Sequence, residues 1–244
     1  MVKEQRNKRR FLGAALALCM VLGATAVLAD STVLTPVREV STLTEVTPQE
    51  RTAEDCYAVA KDSVLYIRSH YASGTLKATG SGFVVTPEGL ALTAAHVVDK
   101  GARVTALLPD GTELEAAVVS CDNDTDVAVL RLPVGQYPAL ELADTAPAGG
   151  AVIRAMGYPI KDTLMITEGI VAAPEGTVSG KTRMLVTCDL VNGMSGGPVF
   201  DRFGQVVGLC SGSVRTMDGI HLSALHGTLT AAVNAALNNG KGAA

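Results

Sequence analysis

Short apolar or alternating runs recur from about residue 63 to residue 224, and turn residues separate most of them. Runs of four to eight residues that are rich in Val, Ile, Thr and Leu are typical of β-strands. We predict twelve strands, at Ser63–Ser69, Thr79–Val85, Leu90–Thr93, Arg103–Leu108, Glu113–Ser120, Val127–Leu132, Ala151–Met156, Leu164–Ala172, Arg183–Thr187, Pro198–Asp201, Gln205–Ser211 and Ile220–Ala224.

The turns and the few helical patterns complete this arrangement. In Thr86-Pro87-Glu88-Gly89, Pro at the second position and Gly at the fourth are typical of a type I turn, so the flanking strands should form a hairpin. Thr228–Leu237 has a clear helical pattern, and Ala53–Lys61 is compatible with a short helix. The sequence therefore predicts an all-β fold, a double barrel or a sandwich, with a C-terminal helix.

The first 29 residues have the pattern of an export segment. Five Lys or Arg residues lie among the first ten, and Phe11–Ala29 contains no charge. A signal peptide with small residues at its cleavage site fits this pattern. A membrane anchor fits too, because 19 uncharged residues approach the ~20 that span a bilayer. Both place the rest of the chain outside the cytoplasm, secreted or anchored to the outer face of the membrane. Residues 30–52, which are rich in Thr, Val, Glu and Pro, predict an extended linker.

Charge and cysteine content narrow the function classes. Residues 30–244 contain 15 Lys or Arg and 23 Asp or Glu, a formal charge of −8 without a basic run, which disfavours nucleic acid as a partner. The four cysteines after the export segment allow two disulfides in three pairings. They have no Cys-x-x-Cys spacing and no nearby His, so we expect no metal and no cofactor. These cysteines are Cys56, Cys121, Cys188 and Cys210.

Three stretches contain the residues for nucleophilic catalysis. His96 lies in TAAHVV, Asp126 begins the apolar run of DTDVAVL, and Ser195 lies in NGMSGGP. A serine hydroxyl becomes an effective nucleophile when a base removes its proton, and a buried carboxylate orients a histidine base. Glycines beside the serine let backbone N–H groups point at the developing oxyanion. In this order on an all-β pattern, the three stretches indicate a serine hydrolase.

These stretches resemble the trypsin-like serine proteases, and most closely their bacterial HtrA (Deg) branch. The resemblance covers about residues 55–240 and includes four further motifs. They are Gly80–Phe83, Gly157–Pro159, Thr167–Val171 and Gly204–Gly208. It implies one protease domain at residues 53–240, with two six-stranded antiparallel barrels at about 60–132 and 148–226 and the active site between them.

The resemblance also implies roles for individual residues. His96 would be the general base and Asp126 its orienting partner, with Asp122 and Asp124 as rivals for that acid role. Ser195 would be the nucleophile, and the N–H groups of Gly193 and Ser195 would form the oxyanion hole. The segment around Ser211 would pair with the substrate backbone.

The sequence departs from the family's pattern in two places, and each changes what we expect of this protein. The chain ends about where the protease domain would, so a following PDZ domain is not expected. Met194 stands where animal digestive proteases have an Asp that pairs with a new N-terminus, so we expect a site that is preformed or ordered by substrate. Both Cys188 and Cys210 would border the specificity pocket, and we expect a disulfide between them.

The sequence does not decide which side chain the specificity pocket accepts. Asp189 stands six residues before Ser195, the spacing at which a carboxylate in the pocket base selects Arg or Lys. An alignment gapped by one residue instead gives a small apolar pocket, which we favour. His221 and His226 are expected to be structural or exposed.

The sequence thus predicts an exported serine endopeptidase that acts on protein or peptide substrates in quality control or regulated proteolysis. Among enzyme functions, the alternative is a protease that cuts one membrane-bound partner. The alternative from another class is a non-catalytic binding or scaffold protein that retains the fold. The sequence does not indicate an oligomeric state.

Overall fold

The computed structural model describes residues 49–214 and 216–241. The predicted export segment and all but the last four residues of the predicted linker lie outside the described residues. The strands are β1 (Val64–His70), β2 (Leu76–Val84), β3 (Leu90–Ala94), β4 (Arg103–Leu107), β5 (Glu113–Asp122), β6 (Val127–Arg131), β7 (Val152–Ile160), β8 (Thr163–Val178), β9 (Lys181–Val186), β10 (Pro198–Phe200), β11 (Val206–Ser213) and β12 (His221–Leu225). The helices are α1 (Ala53–Ala60), α2 (Ala95–Val98) and α3 (His226–Lys241).

The strands form two closed antiparallel barrels of six strands each. The first has the order β1-β2-β3-β6-β5-β4, and the second has the order β10-β11-β12-β9-β8-β7. Pairing of β1 with β4 closes the first barrel, and pairing of β10 with β7 closes the second. The predicted all-β double barrel with a C-terminal helix is confirmed.

Apolar side chains from both barrels form a continuous core. Met156, Phe200 and Leu209 of the second barrel are fully buried in the same cluster as the residues that fill the first barrel. Burial of such a shared surface stabilises the pairing of the barrels, because each large side chain removed from water contributes about 1.5–3 kcal/mol. The two barrels are therefore held together by apolar packing.

The helices cover the ends of this core. Thr52 and Asp55 form a reciprocal capping box that begins α1 at Ala53. In α3, Leu229, Val233 and Ala236 lie on one helical face and are buried against the core of the first barrel. No helix within residues 49–214 and 216–241 has both the length and the apolar character needed to span a membrane.

Strand β8 is six residues longer at its C-terminal end than predicted. The sequence predicted an end at Ala172, and the added segment contains Pro174, which cannot donate a hydrogen bond to a neighbouring strand. The pairing of β8 with β9 shifts register between Val171 and Ala173 and again between Ala173 and Gly176. Proline is tolerated at such bulges, so the strand continues to Val178.

Candidate active site

His96 lies at the start of the cleft-facing helix α2, immediately after β3. Its side chain is 49% exposed. Nδ1 of the ring lies 3.0 Å from each carboxylate oxygen of Asp126. This contact uses Nδ1 and leaves Nε2 without a hydrogen-bond partner among the described residues, so Nε2 can accept a proton in the cleft.

Asp126 precedes β6 in the left-handed backbone conformation, with a φ of 61°, which Asp tolerates better than most residues. Its carbonyl oxygen accepts a hydrogen bond of 3.2 Å from the Ala95 N–H, and its carboxylate accepts one of 3.1 Å from the His96 N–H. Two backbone donors and the imidazole thus fix His96 relative to Asp126.

The carboxyl group of Asp126 is buried, which by itself raises its pKa. Hydrogen bonds from the His96 side chain and the Ser211 hydroxyl, together with the charge of His96, outweigh this burial and hold the pKa of Asp126 below its ordinary value. The group therefore remains ionised and can stabilise a protonated imidazole.

Neither of the two rival acids contacts His96. The carboxylate of Asp122 accepts hydrogen bonds from the Asp124 N–H and the Thr125 hydroxyl, and so it closes the turn before Asp126. The side chain of Asp124 is 95% exposed and lies 3.8 Å from Lys181 Nζ. Of the three acids, the structure places Asp126 alone against the imidazole.

The loop that contains Ser195 packs tightly against β2 and against the end of β3, the strand that leads to His96. The Ser195 carbonyl accepts a 2.7 Å hydrogen bond from the Ser81 N–H of β2. A Cβ atom at Gly196, where φ is 90°, would lie 2.1 Å from the Ser81 carbonyl oxygen. Glycine is required at this position by both the backbone conformation and the close approach. The loop therefore seats Ser195 beside the segment that ends in His96.

The backbone donors at the loop are free. Within residues 49–214 and 216–241, the N–H groups of Gly193 and Ser195 have no hydrogen-bond acceptor, and the Ser195 hydroxyl has no partner either. Gly193 has a φ of 98°, and its carbonyl accepts a 2.8 Å hydrogen bond from the Ser81 hydroxyl. The structure thus joins His96 to Asp126 by a hydrogen bond and does not join either of them to Ser195.

Met194 is fully buried in the core of the second barrel, between Gly193 and Ser195 along the chain. Its N–H donates a 3.0 Å hydrogen bond to the Val191 carbonyl. The loop is therefore held by a core side chain and by its own turn.

Ser211 has a contact that its sequence motif did not reveal. Its hydroxyl donates a hydrogen bond to Oδ2 of Asp126, across 85 residues of sequence. Strand β10 pairs with β11 only as far as Leu209. On that side, residues 211–213 of β11 have no partner strand among the described residues, so their backbone is available to an extended peptide.

Asp189 and the two histidines lie at the edges of the second barrel. The carboxylate of Asp189 is 86% exposed and lies 4.0 Å from Nε2 of the mostly buried His221. A carboxylate in the base of a closed pocket would be largely buried, so the structure places Asp189 in an open surface position. Nε2 of His226, at the start of α3, lies 2.6 Å from the Ala143 carbonyl oxygen.

The expected disulfide is not formed. Cys56, Cys121, Cys188 and Cys210 are all free thiols, and three of them are buried. Cys188 and Cys210 lie in one core cluster of the second barrel. Burial raises the pKa of Cys188 to about 12 and that of Cys210 further, so both behave as small apolar core residues.

Comparisons with known proteins agree with this geometry. A family model described as "Trypsin-like peptidase domain" matches residues 80–209, more than half of the chain. A Halomonas elongata protein named "Probable periplasmic serine endoprotease DegP-like" is 35% identical over 139 residues, which cover 55% of this chain and 29% of the relative. A Brucella suis protein of the same name is 36% identical over 138 residues, covering 54% of this chain and 27% of the relative. The chain thus matches less than a third of the length of these relatives.

A solved structure shares the fold. The crystal structure of the serine endoprotease from Yersinia pestis superposes on this chain with a TM-score of 0.68. The match covers 78% of this chain and 68% of that chain at 22% sequence identity. At this identity, the likeness supports the double-barrel fold and nothing finer.

Proposed function

Since the chain belongs to the trypsin-like peptidase family of serine proteases, we propose that it is an exported endopeptidase that hydrolyses peptide bonds through His96, Asp126 and Ser195. The observation that supports this most directly is the contact between His96 Nδ1 and the buried carboxylate of Asp126. The names of the periplasmic relatives and the export pattern of residues 1–29 support a location outside the cytoplasm.

In the proposed reaction, the Ser195 hydroxyl attacks the scissile carbonyl carbon and its proton passes to Nε2 of His96. The ionised Asp126 stabilises the imidazolium and fixes its tautomer. The N–H groups of Gly193 and Ser195 bind the oxyanion, and His96 returns the proton to the leaving amine. A water molecule, activated by the same imidazole, then hydrolyses the acyl-enzyme. Each oxyanion donor is worth roughly 10²–10³ in turnover.

The unpaired edge at residues 211–213 supports an extended substrate. An extended peptide can add to this edge as a strand, with main-chain hydrogen bonds that do not depend on sequence. A folded protein rarely offers such a segment, whereas an unfolded or locally exposed chain does. We therefore place the enzyme in protein quality control or regulated proteolysis.

The exposure of Asp189 favours an apolar specificity pocket. His221 pairs with Val186 on one side and with Ser213 on the other, so these three residues share one face of the sheet near Asp189. Cleavage after Ala, Val or Leu is expected, because a carboxylate that is open to water gains little from a charged partner.

Labelling with a fluorophosphonate probe tests this function. The probe reacts with a serine that a neighbouring base activates, so the folded protein should be labelled at Ser195, and His96→Ala should abolish the labelling without unfolding the protein. A binding protein that retains the fold would remain unlabelled under conditions that label trypsin.

A further inference from the structure

Arg183 of β9 is a buried cation without an anionic partner in the described structure. The residue is 5% exposed. Its Nη1 donates hydrogen bonds to the carbonyl oxygens of Asp124, at 2.9 Å, and Thr182, at 2.8 Å. No carboxylate within residues 49–214 and 216–241 lies within 4.0 Å of the guanidinium nitrogens. Buried charges are normally paired with an opposite charge, so this position is unusual.

Arg183 lines a cavity of about 380 Å³. The two hydrogen bonds of Nη1 leave the donors of Nε and Nη2 without an acceptor in the described residues. Lys181, two residues earlier in β9, lines the same cavity, as do Ser211 and Ser213. Lys181 lies 3.8 Å from the Asp124 carboxylate, but that carboxylate is 95% exposed and neutralises the lysine only weakly. With Ser179 and Thr216, which also line it, the cavity therefore offers two cations and four hydroxyl-bearing residues.

The position of the cavity relates it to the candidate active site. Ser211, which lines it, donates a hydrogen bond to Asp126. The unpaired edge at residues 211–213 runs along its rim. In the proposed reaction, a peptide bound to that edge would have the residues before its scissile bond beside the cavity, and alternate side chains of such a strand point to the same side.

We propose that this cavity is a substrate subsite that binds the carboxylate of a Glu or Asp located two to four residues before the scissile bond. The inference rests on the proposed function and adds a substrate class to it. A planar guanidinium with free donors binds a carboxylate through paired hydrogen bonds, and a nearby ammonium strengthens the attraction. Ser213 can donate a further hydrogen bond to the same group, whereas the Ser211 hydroxyl already donates to Asp126.

Matched synthetic peptides test the subsite. Decapeptides of Ala and Val contain one Glu two, three or four residues before the scissile bond, which follows a central Val, and a second series contains Gln at the same place. For at least one position, the wild-type protein should cleave the Glu peptide with a kcat/KM about tenfold higher than that of the Gln peptide. Equal kcat/KM values at all three positions would overturn the proposal.

Variants separate binding from structural support. Lys181→Met should reduce the Glu preference several-fold, and Arg183→Gln should abolish it. The control Lys61→Met, which removes an exposed lysine at the end of α1, should keep it. If Arg183 serves only to hold the Asp124 carbonyl, Arg183→Gln would lower kcat/KM equally for both peptides and Lys181→Met would change neither. Because Lys181 is partly exposed, its variant remains informative if Arg183→Gln unfolds.

A binding measurement makes the test independent of catalysis. Fluorescence anisotropy with the Ser195→Ala protein should give a Kd about tenfold lower for the labelled Glu peptide than for its Gln counterpart. Equal Kd values would reject the subsite even if the enzyme is active. A Glu preference in binding without hydrolysis by the wild-type protein would support the subsite and reject the proposed function.

Discussion

Asp126 shows how one residue combines backbone conformation, burial and charge. Its left-handed φ brings its carbonyl to the Ala95 N–H while its carboxylate faces His96. The DTDVAVL pattern predicted which acid begins β6, and the structure places that acid against the imidazole. The hydrogen bond from Ser211 could not be predicted, because it joins two barrels across 85 residues of sequence.

The lowered pKa of Asp126 predicts the pH dependence of activity. At and above its ordinary value of 3.8, Asp126 is mostly ionised. Asp126 therefore contributes no ionisation to the pH dependence above that value, and the acid limb of log(kcat/KM) should have a slope of no more than one. Rates measured from about pH 4.5 to 8 at constant ionic strength check this. A slope of two would mean that Asp126 is protonated in the same range.

The same lowered pKa affects stability. A carboxyl group with a lower pKa in the folded protein stabilises the fold above its unfolded pKa, and this contribution is lost as the pH falls through its folded pKa. Stability supplied by Asp126 should therefore be constant near neutral pH and decline below about pH 3.8.

Asp189 provides a test of specificity at the level of one side chain. Because its carboxylate is 86% exposed, Asp189→Ser should change kcat/KM for Ala, Val or Leu substrates by less than about fivefold. Chromogenic peptides with different residues before the scissile bond give this comparison. Preferred cleavage after Arg or Lys by the wild-type protein, lost in Asp189→Ser, would place the carboxylate in the pocket base instead.

At the level of elements, the apolar pattern predicted the order and approximate position of the strands because each half-buried strand requires alternating or continuous apolar residues. The end of β8 was wrong because the bulges that accommodate Pro174 depend on the pairing with β9. The four-residue helix α2 was not predicted, since the residue at its N-cap makes no side-chain hydrogen bond that would mark its start. Such short elements are determined by tertiary contacts.

The Ser195 loop predicts a difference between two glycines. Gly196→Ala should lower the free energy of unfolding by about 3 kcal/mol, because the new Cβ atom would both clash with the Ser81 carbonyl and occupy a left-handed conformation. The control Gly74→Ala has a similar φ of 83° with no atom within 4 Å, and should cost only about 1 kcal/mol. Denaturant unfolding of both variants measures this. Equal losses would show that the loop does not pack against β2 as described.

At the level of the whole molecule, two barrels and a shared core bring together residues that are far apart in sequence. The motifs were sufficient to predict the double barrel. The contact of Arg183 with Asp124 and the burial of Cys56, Cys188 and Cys210 were not predictable, because they depend on how the barrels and their cores pack.

The thiols test the packing of both barrels together. In the folded protein, iodoacetamide should modify Cys121 and leave Cys56, Cys188 and Cys210 intact, because Cys121 is exposed and the other three are buried. The pKa values of all four thiols are raised, so access of the reagent decides the difference. All four should react after unfolding in guanidinium chloride, as peptide mapping by mass spectrometry would show. A disulfide-linked peptide containing Cys188 and Cys210 would contradict the structure at this point.

Whether Ser195 is the nucleophile of a protease is tested by the rate at which an unfolded protein is hydrolysed. This rate is compared between wild type and Ser195→Ala. Reduced, carboxymethylated casein is a suitable substrate, and circular dichroism confirms that the variant is folded. We predict that wild type hydrolyses the substrate and that Ser195→Ala lowers the rate of hydrolysis by at least about 10³-fold, with unchanged stability. Hydrolysis by the folded variant at a rate comparable with that of wild type would contradict it.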